Sequence, residues 1–161
     1  MSGKPPVTPA VRMLRRYQVE FSNHIYDYQE HGGTAHGAHE LNLAEHCIIK
    51  TLVMEDEGKK PWMVLMHGDC EVSTKALARS LGVKTMTPCD PAIANKHTGY
   101  QVGGISPFGT RKPLPVVAEQ SIFTLPRVYV NGGKRGYLVG IDPTDLQRFL
   151  QPKRVQVAIA D

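Results

Sequence analysis

Residues 47–55 read Cys-Ile-Ile-Lys-Thr-Leu-Val-Met-Glu, and beyond a turn at 58–61 a second apolar run, Trp-Met-Val-Leu-Met-His, fills 62–67. Two runs rich in β-branched and large apolar side chains, separated by Gly58 and two lysines, predict an antiparallel hairpin. Both runs are strongly apolar, as a buried strand would be. Lys50 interrupts the first run. A lysine is costly to bury without a partner or a wet cavity. On strand pattern alone Lys50 reads as a residue on the solvent face.

Working outward, Thr8-Pro9 reads as an N-cap followed by an N1 proline, opening a helix to about Arg16 with Val11 and Leu14 turned inward. Residues 20–28 read as a strand. The segment 30–39, with three histidines and three glycines, reads as a loop entering a short helix. On the other side, Ser73 caps a helix that Gly82 stops, and Asp90-Pro91 opens another that ends before Gly99. A glycine-rich loop spans 98–109. Strands follow at 114–118 and 127–131, with a turn at Gly132-Gly133 into a strand over 137–141. Asp142-Pro143 starts a last helix to Leu150, and the VQVAIA run near the end reads as an edge strand. Strands in hairpin-like succession, with helices at the ends and between, predict α+β: a mixed, largely antiparallel, barrel-like sheet with flanking helices. No linker or repeat divides the chain, so one domain over 1–161 is expected, its core at about 8–150 behind a loose tail at 1–7.

The 161 residues are 41% hydrophobic and 21% charged, which is globular composition and argues against disorder. A net charge of +4 permits a polyanionic partner without requiring one. Cys47, Cys70 and Cys89 form no CxxC pair, and no secretory or membrane-spanning segment is evident. Free thiols, a reducing compartment and a cytoplasmic protein without a membrane partner are therefore expected. Known enzyme signatures are excluded one by one. His31, His36, His39 and Glu40 match no zinc template, because Leu43 stands where HExxH needs its second histidine. There is no GxSxG elbow, and Gly132-Gly133-Lys134-Arg135-Gly136 lacks the P-loop spacing. What remains is the loop Thr98-Gly99-Tyr100-Gln101-Val102-Gly103-Gly104-Ile105-Ser106-Pro107-Phe108-Gly109, whose backbone amides suit a carboxyl, phosphate or oxyanion. Lys134 and Arg135 suit phosphate oxygens, with Lys96, Arg111 and Lys112 as extensions of that surface. Each of these also reads as an ordinary turn.

The order of these segments resembles the YbaK family, the prolyl-tRNA synthetase-associated editing domains. The carriers are the opening TPAV, His24-Ile25-Tyr26, Lys50-Thr51-Leu52, Asp90-Pro91, the 98–109 block and YVNGGKRG at 129–136. The resemblance implies a partial barrel and a trans-acting deacylase that takes the acceptor end of mischarged aminoacyl-tRNA, typically Cys-tRNA(Pro), often with prolyl-tRNA synthetase. Alternatives are a deacylase for Ala or Ser, or a non-catalytic tRNA- or synthetase-binding module. It implies Lys50 as the essential lysine, with the Gly103-Gly104 backbone cradling the ester carbonyl. Tyr26, Thr98, Tyr100, Ser106, Asn131, Lys134 and Arg135 are implied to bind substrate. No metal, no cofactor and no protein nucleophile is expected; water, aided by the ribose hydroxyl or by a cysteinyl substrate's own thiol in a lyase-like release, would attack. Two positions depart from the best-known bacterial member: Asn131 replaces a serine and Leu138 an aspartate.

Overall fold

The computed structural model describes residues 3–160; of the expected tail, Met1 and Ser2 lie outside the described residues, and 3–7 forms neither helix nor strand. Helix α1 (Pro9–Arg16) starts where Thr8 accepts the amide of Val11, with Ala10, Val11 and Leu14 buried. Strand β1 (Ser22–Ile25) is shorter than the expected 20–28, and α2 (Gly33–Leu41) follows. The hairpin is β2 (Ile48–Asp56) and β3 (Pro61–His67), paired in register from Ile49↔His67 to Glu55↔Pro61. Two short strands, β4 (Cys70–Val72) and β5 (Met86–Pro88), flank α3 (Thr74–Leu81), which Ser73 caps and left-handed Gly82 ends. Helix α4 (Pro91–Thr98) ends at left-handed Gly99, and after the glycine-rich loop come β6 (Val116–Glu119), β7 (Val128–Lys134) and β8 (Tyr137–Ile141). Helix α5 (Pro143–Leu150), capped by Asp142, leads into β9 (Lys153–Val155) and β10 (Ala158–Ala160).

The main sheet runs β1-β8-β7-β2-β3-β6-β9, with β5 also on β2; β10 pairs β4 separately. It is mixed: β2–β3, β7–β8, β1–β8 and β2–β5 are antiparallel, whereas β2–β7, β3–β6 and β6–β9 are parallel. The path ends at β1 and β9, so no closed barrel forms. The expected edge run is split between two sheets, β9 on β6 and β10 on β4.

Alternation along β3 explains why its sequence is apolar throughout. Met63 and Leu65 pack with Leu14, Phe108, Val139 and Leu146 on one face. Val64 and Met66 pack with Leu77, Val117 and Val155 on the other. Burying each such side chain is worth roughly 1.5–3 kcal/mol. A third, small cluster of Ala38, Ile48 and Leu138 sits beside Tyr26 and Tyr129 and forms part of the wall described next.

Candidate active site

β2 keeps one edge paired with β3 throughout, but its other edge has two different neighbours. β7 pairs only at Ile48 and Ile49, and β5 only from Met54. Between them the sheet is split at residues 50–53, and a cavity of about 520 Å³ opens there. All four residues line it, with Ile48, Ala94, Ile105 and Leu138 as apolar walls. Lys50 stands in this wall rather than on an open solvent face: its side chain is 21% exposed, and Glu71 Oε1, itself on an exposed side chain, lies 3.9 Å from Nζ. At that distance and exposure the pair is worth little, leaving the ammonium available to a ligand.

The glycine-rich loop forms the opposite lip. Gly103 has φ +91, and a Cβ there would come within 2.7 Å of the Tyr28 hydroxyl; Gly104 would strike the backbone of Arg135. Gly104 is therefore required by close packing of the loop on the backbone of the β7–β8 hairpin, and Gly103 by its left-handed φ. Asn131 clasps the two. Its Nδ2 donates to Gly103 O at 3.1 Å, while its Oδ1 accepts from the amides of Gly133 (2.7 Å) and Lys134 (3.1 Å). Those two bonds bulge β7 between Asn131 and Lys134, so the chain reverses at Arg135-Gly136 and not at the expected Gly132-Gly133. Arg135 Nε donates to Val102 O at 2.9 Å and its guanidinium lies over Tyr28.

Of the residues expected at the site, Lys50, Tyr26, Gly103 and Asn131 line the cavity. Gly104, Thr98, Tyr100, Ser106, Lys134 and Arg135 do not. The Gly104 amide is spent on Gln101 O at 2.7 Å. Thr98 bonds Ala94 O and the Tyr100 amide, capping α4. The Tyr100 hydroxyl bonds Phe108 O at 2.7 Å, and Ser106 accepts from the Phe108 amide. These three side chains brace the loop from inside. Burial pushes the Tyr100 phenol up to about 12, so it stays a neutral donor. Lys134 is exposed. Lys96 and Arg111 meet at the end of α4, where Arg111 reaches Lys96 O and Lys112 N bonds His97 O. Tyr26 packs on Gly37 of α2, and burial, then Tyr28, raises its phenol above the ordinary value.

Sequence reasoning overlooked Thr51, Tyr28, Cys89 and the apolar walls. Only Tyr28 carried a signal, as the end of the aromatic run at 24–28. Cys89 Sγ donates to Glu55 Oε1 at 3.4 Å, and burial foremost pushes its thiol up to about 11. A thiol held protonated is a poor nucleophile. Away from the cavity, His46, Asp69 and Cys70 bring donor atoms within 4.8 Å of one another, a group that excludes the 31–40 histidines. His46 already bonds Asp69 at 2.9 Å, and His36 bonds Asp27 O.

The chain is similar in sequence and fold to known proteins. A protein of Enterococcus faecalis provisionally named a Cys-tRNA(Pro)/Cys-tRNA(Cys) deacylase, EbsC, is 28% identical over 137 residues, 84% of each chain. The proline–tRNA ligase of Moorella thermoacetica is 32% identical over 104 residues, covering 64% of this chain but only 18% of the ligase. A crystal structure described, again provisionally, as a trans-editing enzyme for prolyl tRNA synthetase superposes with a TM-score of 0.81 at 18% identity. The match covers 96% of this chain and all of that one, and shows a shared fold. Residues 31–149, which hold the cavity's principal walls, match the sequence model of the aminoacyl-tRNA editing domain, and the chain belongs to that family.

Proposed function

We propose that this aminoacyl-tRNA editing domain acts in trans as a deacylase on mischarged tRNA, with Cys-tRNA(Pro) as its main substrate. The observation that carries the reading is a lysine in the apolar wall of a cavity at a split in the sheet, facing a glycine lip. A cavity of this size takes a small ligand such as the aminoacylated end of a tRNA. In the reaction, a nucleophile adds to the ester carbonyl, the bond from that carbon to the ribose oxygen breaks, and the ribose hydroxyl is restored. The ester is already activated, so positioning and charge stabilisation supply most of the acceleration. Lys50 Nζ stabilises the developing oxyanion, and Gly103, without a side chain, lets the substrate approach the loop backbone.

The nucleophile comes from outside the chain. Cys89, the thiol in the cavity wall, is held protonated and bonded to Glu55. Water assisted by the ribose hydroxyl, or the thiol of a cysteinyl substrate, takes that role without a metal. Similarity to segments of proline–tRNA ligases supports prolyl-tRNA synthetase as the source of the mischarged product. Aminoacyl-tRNA is the cytoplasmic pool we assign to it; among the described residues no helix is long and apolar enough to cross a membrane. A panel of aminoacylated tRNAs, with and without prolyl-tRNA synthetase, tests the proposal in single-turnover deacylation. Cys-tRNA(Pro) should lose its amino acid fastest. A protein that binds tRNA but protects every ester is a binding module and not a deacylase.

A further inference from the structure

Thr51 is the neighbour of Lys50 on β2; the residue is half-buried, but its hydroxyl oxygen is buried in a way the fold alone does not account for. Among the described residues two buried side-chain polar atoms have no protein partner, Thr51 Oγ1 and His97 Nδ1, and only Thr51 lines the cavity. A buried hydroxyl without a partner is disfavoured, and it calls for an explanation such as a ligand.

The backbone of Thr51 points the same way. Gly68 N donates to Ile48 O, and Asp56 N donates to Lys60 O, so even-numbered residues of β2 direct their N–H and C=O groups at β3. Odd-numbered residues direct theirs at the other edge, as Val53 O, taken by Cys89 N, confirms. On that edge β7 stops at Ile49 and β5 starts at Met54. The N–H and C=O of Thr51 therefore face the split in the sheet, as an internal stretch of strand edge that no strand covers.

We propose that Thr51 is the seat of the substrate's α-amino group: its carbonyl and Oγ1 accept from that amine, while its N–H meets the adjoining carbonyl end. This rests on the deacylase reading and deepens it. Two acceptors side by side ask for a ligand with several donors, which a free α-amine supplies and a ribose hydroxyl does not. Successive side chains of a strand leave on opposite faces, so Lys50 and Thr51 approach one ligand from different sides. The ammonium of Lys50 repels the amine and attracts the carbonyl oxygen, which orients the aminoacyl group along the split. The site thus selects aminoacyl esters with a free amine over N-acylated ones.

The test compares Cys-tRNA with Nα-acetyl-Cys-tRNA, acetylated while its thiol is held as a mixed disulfide and then reduced. The wild-type protein should cleave the free amine at least about 10-fold faster, the cost of losing one charge-assisted hydrogen bond. Thr51→Val should lower kcat/KM on Cys-tRNA by about 10-fold and narrow the ratio between the two esters, with Thr51→Ser restoring both. A merely structural threonine would change stability and leave that ratio alone. Because valine removes an unpartnered hydroxyl at constant shape, the Tm of Thr51→Val should rise by about 2–4 °C. Equal wild-type cleavage of the two esters overturns the inference and leaves the deacylase standing. Cleavage of neither ester, nor of any other aminoacyl-tRNA, by folded protein overturns the deacylase reading, and the inference with it.

Discussion

Lys50 and Thr51 enter one cavity from adjacent positions because β2 loses its neighbour between Ile49 and Met54. The strand's own sequence suggested a solvent-facing lysine, and the departure has a physical source. Whether a strand residue meets solvent, core or cavity depends on what pairs and packs beside it, and the parallel partner β7 lies some 80 positions away along the chain. Replacing Lys50 with alanine should cost on the order of 10²-fold or more in deacylation, the usual loss on removing a group that stabilises a developing oxyanion. Stability should change little, since the side chain makes one long contact, with exposed Glu71. Single-turnover rates and thermal melts check this; folded Lys50→Ala with wild-type turnover would end the assignment. His67 offers a second residue-scale test, of stability. It is buried, bonds His46 O and Ser121 Oγ, and burial foremost lowers its pKa below the ordinary value of about 6.5. The unfolded chain therefore takes up the proton first. The native state keeps this contribution above about pH 6.5 and loses it as pH falls from there toward the lowered native pKa. Tm should drop across that window, and His67→Gln should flatten the drop.

At the scale of elements, capping and turn chemistry were the legible part. Thr8-Pro9, Ser73 with Gly82, Asp90-Pro91 and Asp142-Pro143 bound their helices where propensity places them. The β7–β8 hairpin was misjudged by its glycines. Gly132 and Gly133 look like the reversal, but the Asn131 carboxamide captures the two amides after it and turns them into a bulge. An asparagine two residues before a glycine is a signal of that bonding, and it was present. The same side chain ties the hairpin to Gly103 O, so three hydrogen bonds at about 1 kcal/mol each hold the lip of the cavity. Asn131→Ala should lower stability by about 1–3 kcal/mol and speed amide exchange at Gly133 and Lys134. Deacylation should fall with it, mainly in kcat, because a looser lip misplaces the ester. Asn131→Ala with native exchange at those amides would show that the clasp does not hold the lip.

For the whole molecule, the α+β class and mixed sheet were readable from the order of apolar runs, whereas the parallel pairings β3–β6 and β6–β9 were not, since no local pattern encodes a crossover. The cavity depends on those long-range choices, and so does its selectivity. Asn131, the amide at a position where a serine is familiar, spends its Oδ1 and one Nδ2 hydrogen within the chain. Leu138, where an aspartate is familiar, is 5% exposed and packs with Ile48 and Ala38. With Ile48, Ala94 and Ile105 it forms an apolar wall of the cavity. Such a wall separates small side chains only weakly, about 1–3 kcal/mol per methylene, so tolerance of alanine is expected. Serine is the harder case, because its hydroxyl would be buried against Leu138 without a partner, whereas a thiol behaves there as a small hydrophobe. Rates on tRNAs bearing the proline anticodon should therefore follow Cys, then Ala, then Ser. The first step should widen if the cysteinyl thiol also serves as nucleophile. Seryl ester cleaved as fast as cysteinyl ester would mean that a polar group not identified among these walls receives the side chain, and would overturn the selectivity while leaving the editing activity intact.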